Sequence, residues 1–124
     1  MNTVQLPFLV EGILIMMGAI FGVLLGRAGR PYGKVKLGIH LFIFLWFSTG
    51  FGFILYSLSR INASILTWIA VAFIGLSILI QLVTGITMLA SRKTGKVLPV
   101  IHITSAILML LADIFAFFIA AHYS

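Results

Sequence analysis

The sequence predicts an all-α integral membrane protein, a bundle of four transmembrane helices built from two repeated helical hairpins. Three observations predict it. First, 62% of the 124 residues are hydrophobic and only 8% are charged, against about 25% charged in soluble domains. A chain of this size has no interior large enough for that much apolar surface, so its solvent must be lipid. Second, four apolar runs, at about 8–26, 35–58, 65–90 and 97–121, each reach the ~20 residues needed to cross a hydrocarbon core. Third, the intervening breaks are short and hold turn formers: RAGRPYGK (27–34), SRINAS (59–64) and SRKTGK (91–96). Connections this short force neighbouring helices to run antiparallel. The whole chain, 1–124, is expected to be one transmembrane domain with an internal repeat, 1–62 and 63–124.

Each element has its own signals. The first run follows MNTVQLPFLVEG, which has no basic region ahead of it. It reads as a permanent span rather than a cleavable signal peptide. It carries Gly18-xxx-Gly22-xxx-Gly26, a strip of small residues suited to close helix packing. The same strip would let a porphyrin edge or a lipid quinone approach the backbone. The second run is almost wholly apolar and aromatic, and Trp46 lies deep enough in it to be expected to pack inside. In the third run Gln81 is expected to make an interhelical hydrogen bond, and Trp68 suits the interfacial belt. Ser48, Thr49, Thr84 and Thr87 are expected to bond back to their own helices. His122 and Tyr123 at the end of the fourth run read as an interface anchor.

The cations set a direction. Arg27, Arg30, Lys34 and Lys36 surround the first break, and Arg92, Lys93 and Lys96 the third, whereas the second holds only Arg60. The positive-inside rule therefore places loops 27–34 and 91–96 in the cytoplasm and both termini outside, in a multi-pass protein of the inner (cytoplasmic) membrane. The net charge of +6 is accounted for by these loops. No polar face interleaves aromatic with basic residues, so nucleic acid is excluded as a partner. There is no cysteine, hence no disulfide framework and no thiolate metal site.

One phrase is written twice. GKVKLGIH occupies 33–40 and GKVLPVIH 95–102, with Gly, Lys, Val, Ile and His in common, and Arg30 aligns with Arg92 on the same offset. Helix–basic loop–helix is thus repeated, as in parallel repeats related by an axis along the membrane normal. His40 and His102 both fall roughly 6–9 Å inside the basic boundary. Helices 2 and 4 run the same way, so the two rings share a level across the core. An isolated imidazole there reads equally well as a snorkelling residue. Its duplication favours function, because polar rings in lipid are costly. Two facing neutral imidazoles suit the axial positions of a b-type haem, whereas a bare transition-metal ion wants three or four ligands. The His40 face continues through Ile43, Phe44, Phe47 and Phe51, and the His102 face through Ser105, Ala106, Met109 and Asp113. One wall is aromatic and the other small, which leaves room for a flat ring. Arg30, Lys34, Lys36, Arg92, Lys93 and Lys96 would face the haem propionates, although topology and lipid headgroups account for most of them.

With its paired transmembrane histidines and duplicated hairpin, the chain resembles the four-helix core of cytochrome b561-like membrane cytochromes. The resemblance spans the chain as architecture and rests in detail on the two GKV…IH phrases. It implies a bis-His haem, electron transfer, and a quinone or a redox partner subunit. Members commonly ligate two haems with four histidines. This chain places only His40 and His102 as ligands, so the resemblance implies a single haem near the basic face, in an electron carrier or the membrane subunit of a larger complex.

The two acids, Glu11 and Asp113, both lie within spans, about 24 and 26 Å from the basic side. They are candidates for a proton or quinone site at the outer face. Glu11 is near enough to its helix end to be expected among the headgroups, while Asp113 is deeper and on the His102 face. Two other functions remain open. One is a non-catalytic membrane subunit, in a larger complex or a homo-oligomer, that binds chlorophyll or lipid. The other is a small proton-coupled transporter. No nucleophile–base pair, phosphate loop or HExxH pattern is present, which excludes hydrolytic chemistry.

Overall fold

The computed structural model describes residues 4–29, 31–91 and 95–122. Arg30, Arg92, Lys93 and Tyr123 lie outside them. Four helices make up the described chain: α1 (Gln5–Ala28), α2 (Lys34–Ser59), α3 (Ile65–Ala90) and α4 (Val97–Ala120). Each is long and apolar enough to cross a membrane. At 24–26 residues they run about 36–39 Å.

The helix ends follow local chemistry. α1 begins three residues earlier than the apolar run suggests, because Pro7 falls in the first turn, where the missing N–H is not needed. Pro99 is placed the same way in α4. α1 stops at Gly29, whose φ of 72° lies in the left-handed region open to glycine. α2 runs into a tight turn in which Ile61 N–H donates to Leu58 and Ala63 N–H to Ile61. Ser64 then caps α3, its hydroxyl accepting from the Thr67 N–H at 3.2 Å.

α1 packs on both α2 and α4, and α4 packs on α3, while α2 and α3 scarcely touch despite the short turn joining them. The bundle buries its mid-span polar side chains beside an apolar core and turns large oily side chains outward. Its buried residues include Glu11, Thr67, Ser77, Gln81, Thr84, Ser105 and Asp113, whereas Phe42, Leu45, Phe73, Val83 and Phe118 all point outward. A water-soluble protein would invert this arrangement; lipid makes it favourable. Trp46 also faces outward, at 58% exposed and tilted against Phe42, contrary to the expectation that it packs inside. Lipid solvates an indole body as well as a core does, so depth alone does not turn it inward.

The buried apolar cluster occupies the half of the bundle away from the basic loops. It is built from residues such as Phe8, Ile54, Leu58, Val71, Ile74 and Ala116, and it ends at Ile15, Phe47 and Met109. Among the described residues of the basic half, the only buried apolar side chains are Leu25 and Ile43. Ala116, with no exposed surface, should not tolerate enlargement. Ala116→Leu should lower unfolding stability in detergent by about 1–3 kcal/mol. Leu111→Ala, on the lipid face, should stay within about 0.5 kcal/mol of the parent. Denaturant titration followed by circular dichroism checks both.

Candidate functional site, a histidine pair

His40 enters the bundle nearly two turns into α2, and its ring settles on the glycine strip of α1. A Cβ at Gly22 would lie 3.3 Å from the His40 ring carbon Cε1, so a bare backbone at that position is what admits the imidazole. Gly18 meets Ile43, and its carbonyl lies 3.1 Å from His40 Nδ1. A carbonyl only accepts, so Nδ1 carries the proton and donates.

His102 is seated differently. Its Nδ1 lies 2.7 Å from Thr84 Oγ1 on α3. The single hydroxyl proton of Thr84 is already directed at its own helix, toward the Ile80 carbonyl at 2.6 Å. The oxygen therefore accepts from His102, and here too the proton sits on Nδ1. Gly85 lies beside the ring, and a Cβ there would make ordinary contact with His102 Cε1 at 3.6 Å. Gln81 completes the seat. Its amide donates to the His102 carbonyl and, at 2.8 Å, to Ser105 Oγ, pinning α3 to α4 at the level of the ring.

Both rings are thus the same tautomer, and both leave an Nε2 lone pair that takes up no hydrogen bond among the described residues. The ring centres are 6.3 Å apart and tilted by 51°. Two metal–nitrogen bonds of about 2 Å, with a further ~1 Å from each nitrogen to its ring centre, call for about 6 Å. An N–H donated from the second ring nitrogen to a carbonyl or hydroxyl is also how ligating histidines are held in orientation.

Other residues singled out in the sequence fall as follows. Phe47 is buried, and Phe44 and Ala106 are partly so. Phe44 and Ala106 lie one turn from the histidines, on the side away from the basic loops. Phe51 reaches across to Gly75 of α3. Lys34, Lys36 and Lys96 are exposed at the basic end. Among the described residues no three His, Cys, Asp or Glu side chains come together as metal ligands. His122 is exposed, far from the pair. The donor set is therefore two imidazoles.

Glu11 corrects the sequence expectation. Rather than reaching headgroups it turns inward, 3% exposed, and Asp113 is 2% exposed. The signal was available, because a carboxyl flanked on all sides by lipid gains by facing the bundle. The partners Gly18 and Thr84 were not singled out as acceptors. Gly18 could have been suspected only from its place in the strip, since a backbone carbonyl has no sequence signature.

No family model matches the chain, and neither does any curated protein or solved structure.

Gln81→Leu removes both interhelical donations while preserving length. It should cost about 1 kcal/mol, in the range of hydrogen bonds between membrane helices. Unfolding in mixed micelles, compared with Gln81→Glu, measures it.

Proposed function

We propose that the chain is a small b-type membrane cytochrome that holds one haem between His40 and His102. On this reading it exchanges single electrons with a lipid-soluble quinone or a partner redox subunit. The observation that carries the reading is the pair of Nε2 lone pairs on rings whose centres stand 6.3 Å apart, each ring fixed by an Nδ1–H donation.

The chemistry of the donor set supports it. Two neutral imidazoles are too few for a bare transition-metal ion, which takes three or four protein ligands. They suffice for a metal whose equatorial positions are already filled. A bound haem would supply one-electron chemistry at the iron, with two imidazoles favouring a six-coordinate, low-spin centre. The chain's own residues orient and enclose. The Gly18 carbonyl and the Thr84 hydroxyl hold the rings and raise their basicity. Gln81 ties the backbone of His102 to α3, while Phe44, Phe47 and Ala106 form apolar walls that exclude water. Lys34 and Lys96, exposed at the basic end, are cations available to the carboxylates of such a group. By the positive-inside rule that end lies in the cytoplasm, which puts the proposed electron exchange at the inner face of a cytoplasmic membrane.

The pairing of the rings favours this reading over a chlorophyll-binding subunit, since such a pigment takes one axial nitrogen and asks nothing of a second ring. A proton-coupled transporter needs a path along the bundle, and the buried layer of Ile15, Phe47 and Met109 lies across it.

The test is optical. Full-length protein from haem-replete membranes, or supplied with haemin in detergent, should show a Soret band and sharp α and β bands on reduction. His40→Ala and His102→Ala should each remove most of the bound haem. Thr84→Val, which strands the Nδ1–H of His102, should weaken haem binding about 10- to 100-fold. A folded protein that stays colourless after haemin is supplied overturns the proposal.

A further inference from the structure

The histidine pair leaves the two acids unexplained. Glu11 on α1 and Asp113 on α4 are both more than nine-tenths buried, at one level in the half of the bundle remote from the basic loops. Each carboxyl is received by a glycine of the neighbouring helix. A Cβ at Gly50 of α2 would overlap Glu11 Oε1, and one at Gly12 of α1 would come within 2.7 Å of Asp113 Oδ2. Asp113 Oδ2 thus lies against Gly12, the residue that follows Glu11 in α1. One oxygen of each, Glu11 Oε2 and Asp113 Oδ1, is fully buried without a hydrogen-bond partner among the described residues.

We propose that Glu11 and Asp113 form a proton-binding carboxyl pair, with one proton held between the two groups. The argument is one of donors and acceptors. Two carboxylates are acceptors only, and nothing beside them donates. One added proton gives the site a donor and removes one of two like charges from a lipid-enclosed environment.

No other ionisable group faces the pair among the described residues. On α1 the remaining one is Arg27, about 24 Å toward the basic end. On α2, Lys34, Lys36 and His40 lie toward the same end, while Tyr56 is exposed and bonded to Arg60 at 3.0 Å. α3 has no Asp, Glu, His, Lys or Arg at all. On α4 and beyond it are Lys96 and His102, the latter about 16 Å from Asp113, and His122, exposed past the far helix end.

A groove of about 240 Å³ between α1 and α4, bordered by Phe8, Gly12, Met16 and Phe117, reaches Asp113. Toward the histidines the way is closed one turn below the acids. Ile15 lies below Glu11, Phe47 below Gly50 and Met109 below Asp113, all buried, with Ile78 of α3 packed on the same cluster. The carboxyls are thus set apart from the histidine pair, and the groove beside Asp113 is bordered by the lipid-facing side chains Leu9, Ile13 and Ile114.

The experiment is infrared spectroscopy of the full chain in lipid, with carbodiimide labelling as a second readout. The parent protein should show a carboxylic acid C=O band near neutral pH that shifts on deuterium exchange. The band should shift in frequency in Glu11→Gln and in Asp113→Asn, each of which leaves one enclosed carboxyl, and should disappear in the double variant. Dicyclohexylcarbodiimide, which adds to protonated carboxyls in lipid, should label Glu11 or Asp113, as located by peptide mass mapping. The label should fall as pH rises. The parent's own band and label keep the test valid if a variant fails to fold. Absence of the band together with absence of label overturns the proposal. So does labelling blocked by sodium without any acid band, which would assign the pair to a metal cation. Neither readout involves haem, so the result stands apart from the optical test of the histidines.

Discussion

A backbone carbonyl can only accept a hydrogen bond, and a threonine hydroxyl whose proton is aimed at its own helix is in the same position. Gly18 and Thr84 present these two acceptors to His40 and His102, and so the tautomer of each ring is decided by its neighbour helix. Much else follows from that constraint. The rings sit where their Nδ1 atoms reach α1 and α3, so their Nε2 atoms are left without a hydrogen bond among the described residues. Helix spacing follows too. α1 is held to glycine at position 22, where a Cβ would crowd the His40 ring, whereas position 85 of α3 would leave a Cβ in ordinary contact with His102.

The repeat shows how two halves reach one geometry by different chemistry. Position 84 is the repeat counterpart of position 22 on the offset of 62. In the first half that position is glycine, and a backbone carbonyl one turn away accepts from the ring. In the second it is threonine, which supplies the acceptor itself, and Gly85 lies beside the ring. Each ring keeps its N–H satisfied in an environment where a stranded donor is expensive. Gln81, with no counterpart in the first half, ties α3 to α4 at this level and gives the second hairpin the closer packing of the two.

Along its length the bundle is divided by polarity. The half away from the basic loops has a continuous apolar core with two embedded acids. The basic half is lined by imidazoles, glycines, hydroxyls and an amide. Between them lies the layer of Ile15, Phe47 and Met109, one turn from the acids and about two from the histidines. A core of side chains with few apolar partners is a poor source of packing stability, and the proposed haem would supply the missing contacts. The closed half holds the four helices together regardless.

Sequence alone determined the four spans, their breaks, the direction of charge and the level of the two histidines, because each is a matter of length or position along the chain. The back-bonding of Ser48, Thr49, Thr84 and Thr87 to their own helices was equally legible, being local, and Gln81 announced itself as an amide in lipid. What stayed hidden was rotation. Lipid and core are both apolar, so a span carries little periodic contrast to say which face turns inward. Trp46 was expected inside and faces out; Glu11 was expected among headgroups and faces in. The acceptors of the histidine protons, the glycine seats of the two carboxyls and the 6.3 Å between rings were decided only when the four helices met, since each depends on an atom from a different helix.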